Sequence, residues 1–536
     1  MQLFEAVDCL DPLGGPWERG YMRATFQIRG DEWFFPGHFH NDPTMPGTLM
    51  CEAGIQMMGF YLAAQGHTID RDGWTFELVA GATFAATCRG QVTPRSKQMT
   101  YEIFVRAFQA GEHPTLWADV LLTVDGRKAF HGRNLGVRLC PGVPLEKAVI
   151  PAIAPGGRPP AQVDGFTFDG AAMLHCATGL PSLAFGPRFK PFDGARNLPR
   201  LPSAPYQFMS RVTRCEGPIA EMKVGSAVEI EYDIPQEAWY FDDNDGHTMP
   251  FAILLEAVLQ PCGWLAAYMG VPLHCKTDLC FRNLDGDGTL MRPVYRGDGI
   301  LRTFARCTSL VRNGETFIES FDVESHIGDE PVYKLKTVFG HFTAEALSAQ
   351  KGLAASEVDR HAMHLQSEPV IDLGMEGRSS RLPRLARGQL LMLDRVTGFW
   401  PQGGAAGRGR LLGEFDVDPN AWFFKAHFYR DPVQPGSLGI EAMVQLLQFY
   451  MRDRGLANGF RNPRFEPLAV GRPMAWKYRG QVLPKNRRVS VEVEIAEEGR
   501  DDAGPWVSAN AWLWVDGLRI YQAKSLTVRI VEGDVR

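Results

Sequence analysis

Apolar positions follow two rhythms that alternate three times along the chain. After Gly47 the run TLMCEAGIQMMGFYLAAQG is apolar on almost every side of a helix, which predicts a helix buried on most of its surface. Similar stretches surround Glu256 and Glu441. Downstream, QMTYEIFVRAF, LWADVLLTV, RVSVEVEIA and SLTVRIV alternate apolar with polar residues and favour β-branched side chains. That is the pattern of antiparallel strands with one buried face. A buried helix wrapped by such strands predicts an α+β fold, and the chain repeats it.

The repetition is legible residue by residue. HFHNDPTMPGTLMCEAGIQ, from His38 to Gln56, returns as HFYRDPVQPGSLGIEAMVQ, from His427 to Gln445. A degenerate copy, FDDNDGHTMPFAILLEAVLQ, runs from Phe241 to Gln260. Aromatic triplets begin at Trp33, Trp239 and Trp422, and RGQVTP at Arg89 matches RGQVLP at Arg479. An internal repeat fixes the architecture before any single residue is interpreted. Three units are expected, at 1–142, 204–346 and 386–536, each near the usual domain size of about 100–150 residues. A Pro/Gly-rich linker, 143–203, with a short helical piece near Ala171–Gly179, joins the first two units, and a more polar linker, 347–385, joins the last two.

Composition narrows the partners. The net charge of −6 and the lack of a basic block argue against nucleic acid. No apolar run approaches the roughly 20 residues of a membrane span, and the first residues lack the features of a signal peptide. Ten scattered cysteines read as reduced thiols in a cytoplasmic protein. His274, Cys275 and Cys280 lack a second half-site, so no metal is expected. No G-x-G-x-x-G opens a βαβ unit, so no nucleotide cofactor is implied. Units two and three share a leading segment that has no full counterpart before unit one, so the chain reads as part of a longer polypeptide.

In both intact motifs a histidine precedes a helical carboxylate by fourteen residues. Neutral imidazole, with an ordinary pKa of about 6.5, suits a general base. A carboxyl on an apolar helix is costly unless it is used or hydrogen-bonded, and burial keeps it protonated. His38 and His427 are therefore the candidate bases, and Glu52, Glu256 and Glu441 the candidate acids. Gly47 and Gly436 open the helices, where backbone N–H groups can polarise a carbonyl and glycine allows close approach. Gln56, Gln260 and Gln445 lie one turn beyond the acids, on the same face. Gln56 and Gln445 are candidate substrate ligands, with orientation of the acid or plain structural bonding as the other readings. His40 and Tyr429 share a slot and differ. In the middle unit Asp242 aligns with the histidine and Phe251 with the glycine, while Glu256 survives.

The pattern H-F-x-x-D-P-x-x-P-G followed by the helical acid resembles the FabA-type β-hydroxyacyl-acyl-carrier-protein dehydratases. Three tandem copies joined by FGPRFKPFDGARNLPRLP look like the dehydratase region of bacterial polyunsaturated fatty acid synthases. The resemblance implies tandem hotdog folds, at least one double hotdog, and active sites that take the histidine from one hotdog and the acid from its partner. It implies dehydration of 3-hydroxyacyl groups carried on the 4′-phosphopantetheine of an acyl carrier protein, with or without isomerisation of the trans-2 double bond. The implied partners are that carrier and other synthase domains or subunits, within a homo-oligomer or a larger polypeptide. Pairing units two and three would make His427 with Glu256 the working site and leave Asp242 with Glu441 inactive. Pairing units one and two would instead use His38 with Glu256. The shorter junction favours two with three. A hotdog thioesterase and a non-catalytic acyl-binding module are the competing readings.

Overall fold

Three helices, each entered through a proline, organise the chain: Gly47–Ala64, Phe251–Met269 and Gly436–Asp453. A computed structural model describes residues 3–39, 41–69, 71, 74–111, 113–141, 153–194, 196–365, 367–378 and 382–533. His40 lies outside them. The chain divides into two compact units, Met1–Ala148 and Val149–Arg536.

The first unit is one hotdog. Its antiparallel sheet runs in the order Ala6–Asp11, Tyr21–Gln27, Gln98–Gln109, Thr115–Val124, Arg127–Pro141 and Trp74–Leu78, with Ala85–Cys88 also paired to Arg127–Pro141. Alternate residues of Gln98–Gln109 point inward, as the period-two pattern requires. Met57, Met58 and Leu62 of the central helix pack with Tyr101, Ile103, Val120 and Leu122 in one core.

The second unit holds two hotdogs of the same strand order. The earlier uses Arg211–Glu216, Ala227–Asp233, Ile300–Asn313, Thr316–Ile327, Glu330–Phe342 and Cys280–Leu290; the later uses Arg395–Trp400, Arg410–Asp416, Arg488–Asp501, Gly504–Val515, Leu518–Glu532 and Pro473–Tyr478. Cys280–Leu290 and Pro473–Tyr478 pair antiparallel, from Asp285 opposite Lys477 to Thr289 opposite Pro473. This junction fuses both sheets into one of 14 strands. The two central helices pack against each other beneath it. The pairing expected of a double hotdog is thus made by repeats two and three.

That pairing explains the burial. Ile440, Glu441, Val444 and Gln445 are buried, whereas their first-hotdog counterparts Cys51, Glu52, Ile55 and Gln56 are only half-buried. It also corrects an expectation. Phe251–His274 is long and apolar enough, by length and composition, to cross a membrane, yet 94% of its most apolar window is buried inside the protein. The Pro/Gly-rich segment between the first two repeats contributes core of its own. Phe168, Phe185, Phe189 and Phe192 are buried, and the Phe168 and Phe185 rings lie 5.0 and 5.4 Å from Trp264 of the second central helix.

Candidate active site

The loop before each intact helix holds its histidine in the same way. A one-turn helix, Trp422–Ala426, ends at His427, and the chain turns back to Pro435. His427 Nδ1 lies 2.9 Å from the Val433 carbonyl, so Nδ1 carries the proton and donates it, leaving Nε2 as the acceptor. In the first hotdog His38 Nδ1 lies 2.9 Å from the Thr44 carbonyl, the equivalent atom. Burial drives the His427 pKa down to about 3, with Arg282 adding to the effect, so the imidazole is neutral at physiological pH and its Nε2 lone pair is free to accept a proton.

His427 and Glu256 line one cavity of about 80 Å³, although they belong to different hotdogs. Leu201, Leu259, Phe281, Phe339, Phe428 and Tyr521 supply much of its apolar wall. Burial raises the Glu256 carboxyl to about 7. Ser437, the second residue of the third central helix, donates from Oγ to Glu256 Oε2 at 2.8 Å. Tyr206 lies 2.9 Å from the same Oγ and supplies its hydroxyl proton to it. A base and a protonated acid therefore face one apolar space beside a helix N-terminus that no side chain caps.

Gly436 is required at that N-terminus by packing. A Cβ there would sit 2.6 Å from the Tyr478 ring, and at Gly47 it would meet Cys88 Sγ at 2.9 Å. The close approach demanded of these glycines is made first by the protein itself. Gln445, a candidate substrate ligand in the sequence, is bonded to the protein's own groups. Its amide donates to the Leu390 carbonyl at 2.8 Å and to Glu441 at 3.0 Å, and its oxygen accepts from Met392 N–H at 2.9 Å. Gln260 makes the matching bonds to Tyr206 and Phe208. Gln56 donates to Glu52 at 3.1 Å and accepts from Leu3 N–H at 3.2 Å. The glutamines clamp the incoming chain to the helix and steady the acid.

The opposite site of the double hotdog keeps its acid, Glu441, but is changed at the histidine and at the helix glycine. Glu441 does not line the His427 cavity; it accepts a backbone bond from Ala252, beside Phe251 at the start of the second central helix. The residue in the histidine place is Asn244, not Asp242. Asn244 follows Trp239 by five positions, as His38 follows Trp33 and His427 follows Trp422. Its Nδ2 donates to the Thr248 carbonyl at 2.9 Å, the equivalent of Val433. The loop between this position and the helix proline is two residues shorter, which displaced an ungapped alignment. Asp242 is exposed and pairs with Arg296. A carboxamide cannot act as a base, so Glu441 has no catalytic partner there.

Other contributors left little trace in the sequence. Arg282, on the strand Cys280–Leu290, grips Asp431 of the H-F-x-x-D-P loop through two bonds of 2.6 and 2.7 Å. It ties the catalytic loop to the neighbouring hotdog. Arg479, at the start of the repeated RGQVLP segment, binds Asp285 across the same junction at 2.8 Å. In the first hotdog His38 and Glu52 occupy the positions equivalent to His427 and Glu441. Among the described residues no three His, Cys, Asp or Glu side chains converge to hold a metal ion.

A polyunsaturated fatty acid synthase polypeptide of Thraustochytrium sp., one of the subunits of that enzyme, is 28% identical, and the match covers 100% of this chain and 44% of that protein. The chain thus spans less than half the length of this relative. Among solved structures, the dehydratase domain from the CurJ module of the curacin polyketide synthase is 14% identical, covering 60% of this chain and 96% of its own, with a TM-score of 0.35. A protein of Lactobacillus plantarum assigned as an oleoyl thioesterase is 9% identical, covering 58% and 98%, with a TM-score of 0.34. Likenesses this distant do not choose between the two chemistries. The FabA-like domain model matches residues 1–133 and 385–524, just over half of the chain, and the chain belongs to that FabA-like family.

Proposed function

We propose that the chain dehydrates 3-hydroxyacyl thioesters, delivered on an acyl carrier protein, to trans-2-enoyl thioesters. The observation that carries this reading is the convergence of neutral His427 and protonated Glu256, from two hotdogs, on one apolar cavity. His427 Nε2 removes a proton from C2. The N–H groups at the start of the Gly436–Asp453 helix polarise the thioester carbonyl as negative charge develops on it. The C3–O bond breaks as Glu256 delivers its proton to the departing hydroxyl, which leaves as water. Proton exchange with solvent then restores imidazole and carboxylic acid.

A thioesterase would need a carboxylate that activates water. Burial shifts Glu256 toward its protonated form, with a pKa raised to about 7, and away from the carboxylate a thioesterase needs, which supports dehydration over hydrolysis. On the same logic His38 forms a second site when another hotdog supplies the acid. The likeness to one polypeptide of a polyunsaturated fatty acid synthase supports a place among the domains of such a synthase, with the carrier protein as partner.

The test is an assay of carrier-linked 3-hydroxyacyl thioesters of several lengths with wild type, His38→Ala, His427→Ala and the double variant. Enoyl product should survive each single change and vanish in the double variant. Mass and double-bond position show whether either site also isomerises the trans-2 bond. Full dehydration by the double variant contradicts the proposal, and release of free acid in place of enoyl product favours the thioesterase.

A further inference from the structure

Two polar side chains in the His427 cavity have no hydrogen-bond partner among the described residues. Gln434 is 1% exposed and lines the cavity, yet neither its amide nitrogen nor its oxygen has a hydrogen-bond partner among the described residues. The Tyr478 hydroxyl, on the same cavity wall, is likewise buried and unpartnered. Burying such a group unpaired costs about 1–3 kcal/mol, so proteins rarely leave one without a use.

The repeats show that the fold does not require these groups. Gln434 stands two residues before Gly436, and Met45 and Met249 fill the same position in the other hotdogs. All three backbones make the same bond: Met45, Met249 and Gln434 N–H donate to the carbonyls of Val92, Val294 and Val482 at 2.9, 2.9 and 3.0 Å. The position accepts a buried methionine without change of backbone pairing. Tyr478 precedes the Arg479-Gly480 pair, where the first hotdog has Cys88 before Arg89-Gly90. The His427 cavity therefore carries polar side chains at two wall positions where the His38 hotdog has a thioether and a thiol.

We propose that the Gln434 carboxamide and the Tyr478 hydroxyl form a polar subsite that hydrogen-bonds an oxygen of the 3-hydroxyacyl thioester, and that this subsite distinguishes the His427 site from the His38 site in substrate preference. The inference rests on the dehydratase reading for its choice of ligand. A carboxamide can donate to a thioester carbonyl or accept from a C3 hydroxyl, and a phenol can do either. Tyr478 and Glu256 line the same cavity, which puts the phenol in the region where the acid works. A site built around a buried hydrogen bond rejects analogues that lack the matching atom far better than an apolar wall does.

Binding tests this independently of turnover. In a His38→Ala/His427→Ala chain, Kd would be measured by calorimetry for a 3-hydroxyacyl pantetheine thioester and for the saturated acyl thioester of the same length. Gln434→Met and Tyr478→Phe would each be added; methionine is the fold's own alternative, and phenylalanine removes one oxygen atom. Each should weaken the hydroxyacyl ligand about tenfold, the size of one hydrogen bond, without lowering the unfolding midpoint. A loss confined to the hydroxyacyl ligand assigns the C3 hydroxyl, and an equal loss for both ligands assigns the carbonyl. Unchanged Kd for both ligands overturns the proposal, as does a fall in unfolding midpoint with no change in Kd. In the His38→Ala chain, where His427 is intact, dehydration is assayed separately. Its absence would count against the dehydratase reading, while the binding result still decides the subsite.

Discussion

Ser437 Oγ donates to the Glu256 carboxyl at 2.8 Å across the seam between two hotdogs. The helix that opens beside His427 therefore orients the acid supplied by its neighbour. Tyr206 completes the chain by donating to Ser437. Replacing Ser437 by alanine should leave the fold intact and slow turnover at the His427 site about tenfold, because one bond to a buried acid is lost. Kinetics in a His38→Ala chain check this, and kcat should fall more than KM rises.

The pH dependence of activity follows from the same environment. With the His427 pKa pushed down to about 3 and Glu256 raised to about 7, both groups hold their working protonation states from weakly acidic pH up to about 7. In the His38→Ala chain, kcat/KM should be flat over that range and fall above it as Glu256 ionises. A profile that rises through pH 7 would contradict the roles given to the two residues.

Stability should respond with a defined sign. Burial raises both Glu256 and Glu441 from the ordinary 4.5 to about 7, so the folded state binds their protons more tightly than the unfolded chain does. Their contribution is fully present below pH 4.5 and is lost as pH rises through about 7. His427, held down at about 3 from 6.5, acts in the opposite sense below pH 6.5, so the carboxyl contribution is read from the difference between chains. Denaturant midpoints of Glu441→Gln should fall less, or rise more, than those of wild type as pH increases from 4.5 to about 7, without loss of dehydration at the His427 site.

The Arg282–Asp431 pair fastens the catalytic loop to the adjacent hotdog. Arg282→Met should destabilise the second compact unit by roughly 1–3 kcal/mol, since the loss leaves a largely buried carboxylate without its partner. Asp431→Asn should cost a similar amount. The double variant should cost less than the two single changes combined, because they share one interaction. Urea unfolding of the four proteins gives the coupling directly.

Much of this was legible in the sequence because the repeat is long. The H-F-x-x-D-P-x-x-P-G pattern, the apolar helices and the alternating strands placed three repeats; the family resemblance implied paired hotdogs and left His427 or His38 as the partner of Glu256, the shorter junction favouring His427. Two kinds of information were missing. A loop shortened by two residues cannot be registered from residue identity alone, so Asp242 took the place that Asn244 fills; only the bond to Thr248 reveals the equivalence. Contacts across the seam, such as Arg282 with Asp431 and Tyr206 with Ser437, join residues far apart in the chain and carry no periodic signal. Gln445 looked like a ligand because it shares a helix face with Glu441, yet the backbone of Leu390 and Met392 occupies it first.

The half of the double hotdog that carries Asn244 in the histidine place should resist simple repair. Asn244→His in the His38→Ala/His427→Ala chain restores an imidazole but leaves Phe251 at the helix start, where the working site has glycine. No dehydration should return. Recovery by this single change would mean that Phe251 and the shortened loop do not obstruct the site.

The central claim is that the acid crosses from one hotdog to the base of the next. In a His38→Ala chain, Glu256→Gln and Glu441→Gln should be compared by the rate of enoyl product formation. Glu256→Gln should cost about a hundredfold or more, the scale of a lost general acid, and Glu441→Gln should leave the rate within about threefold. Equal loss from both changes, or loss from Glu441→Gln alone, would contradict the account.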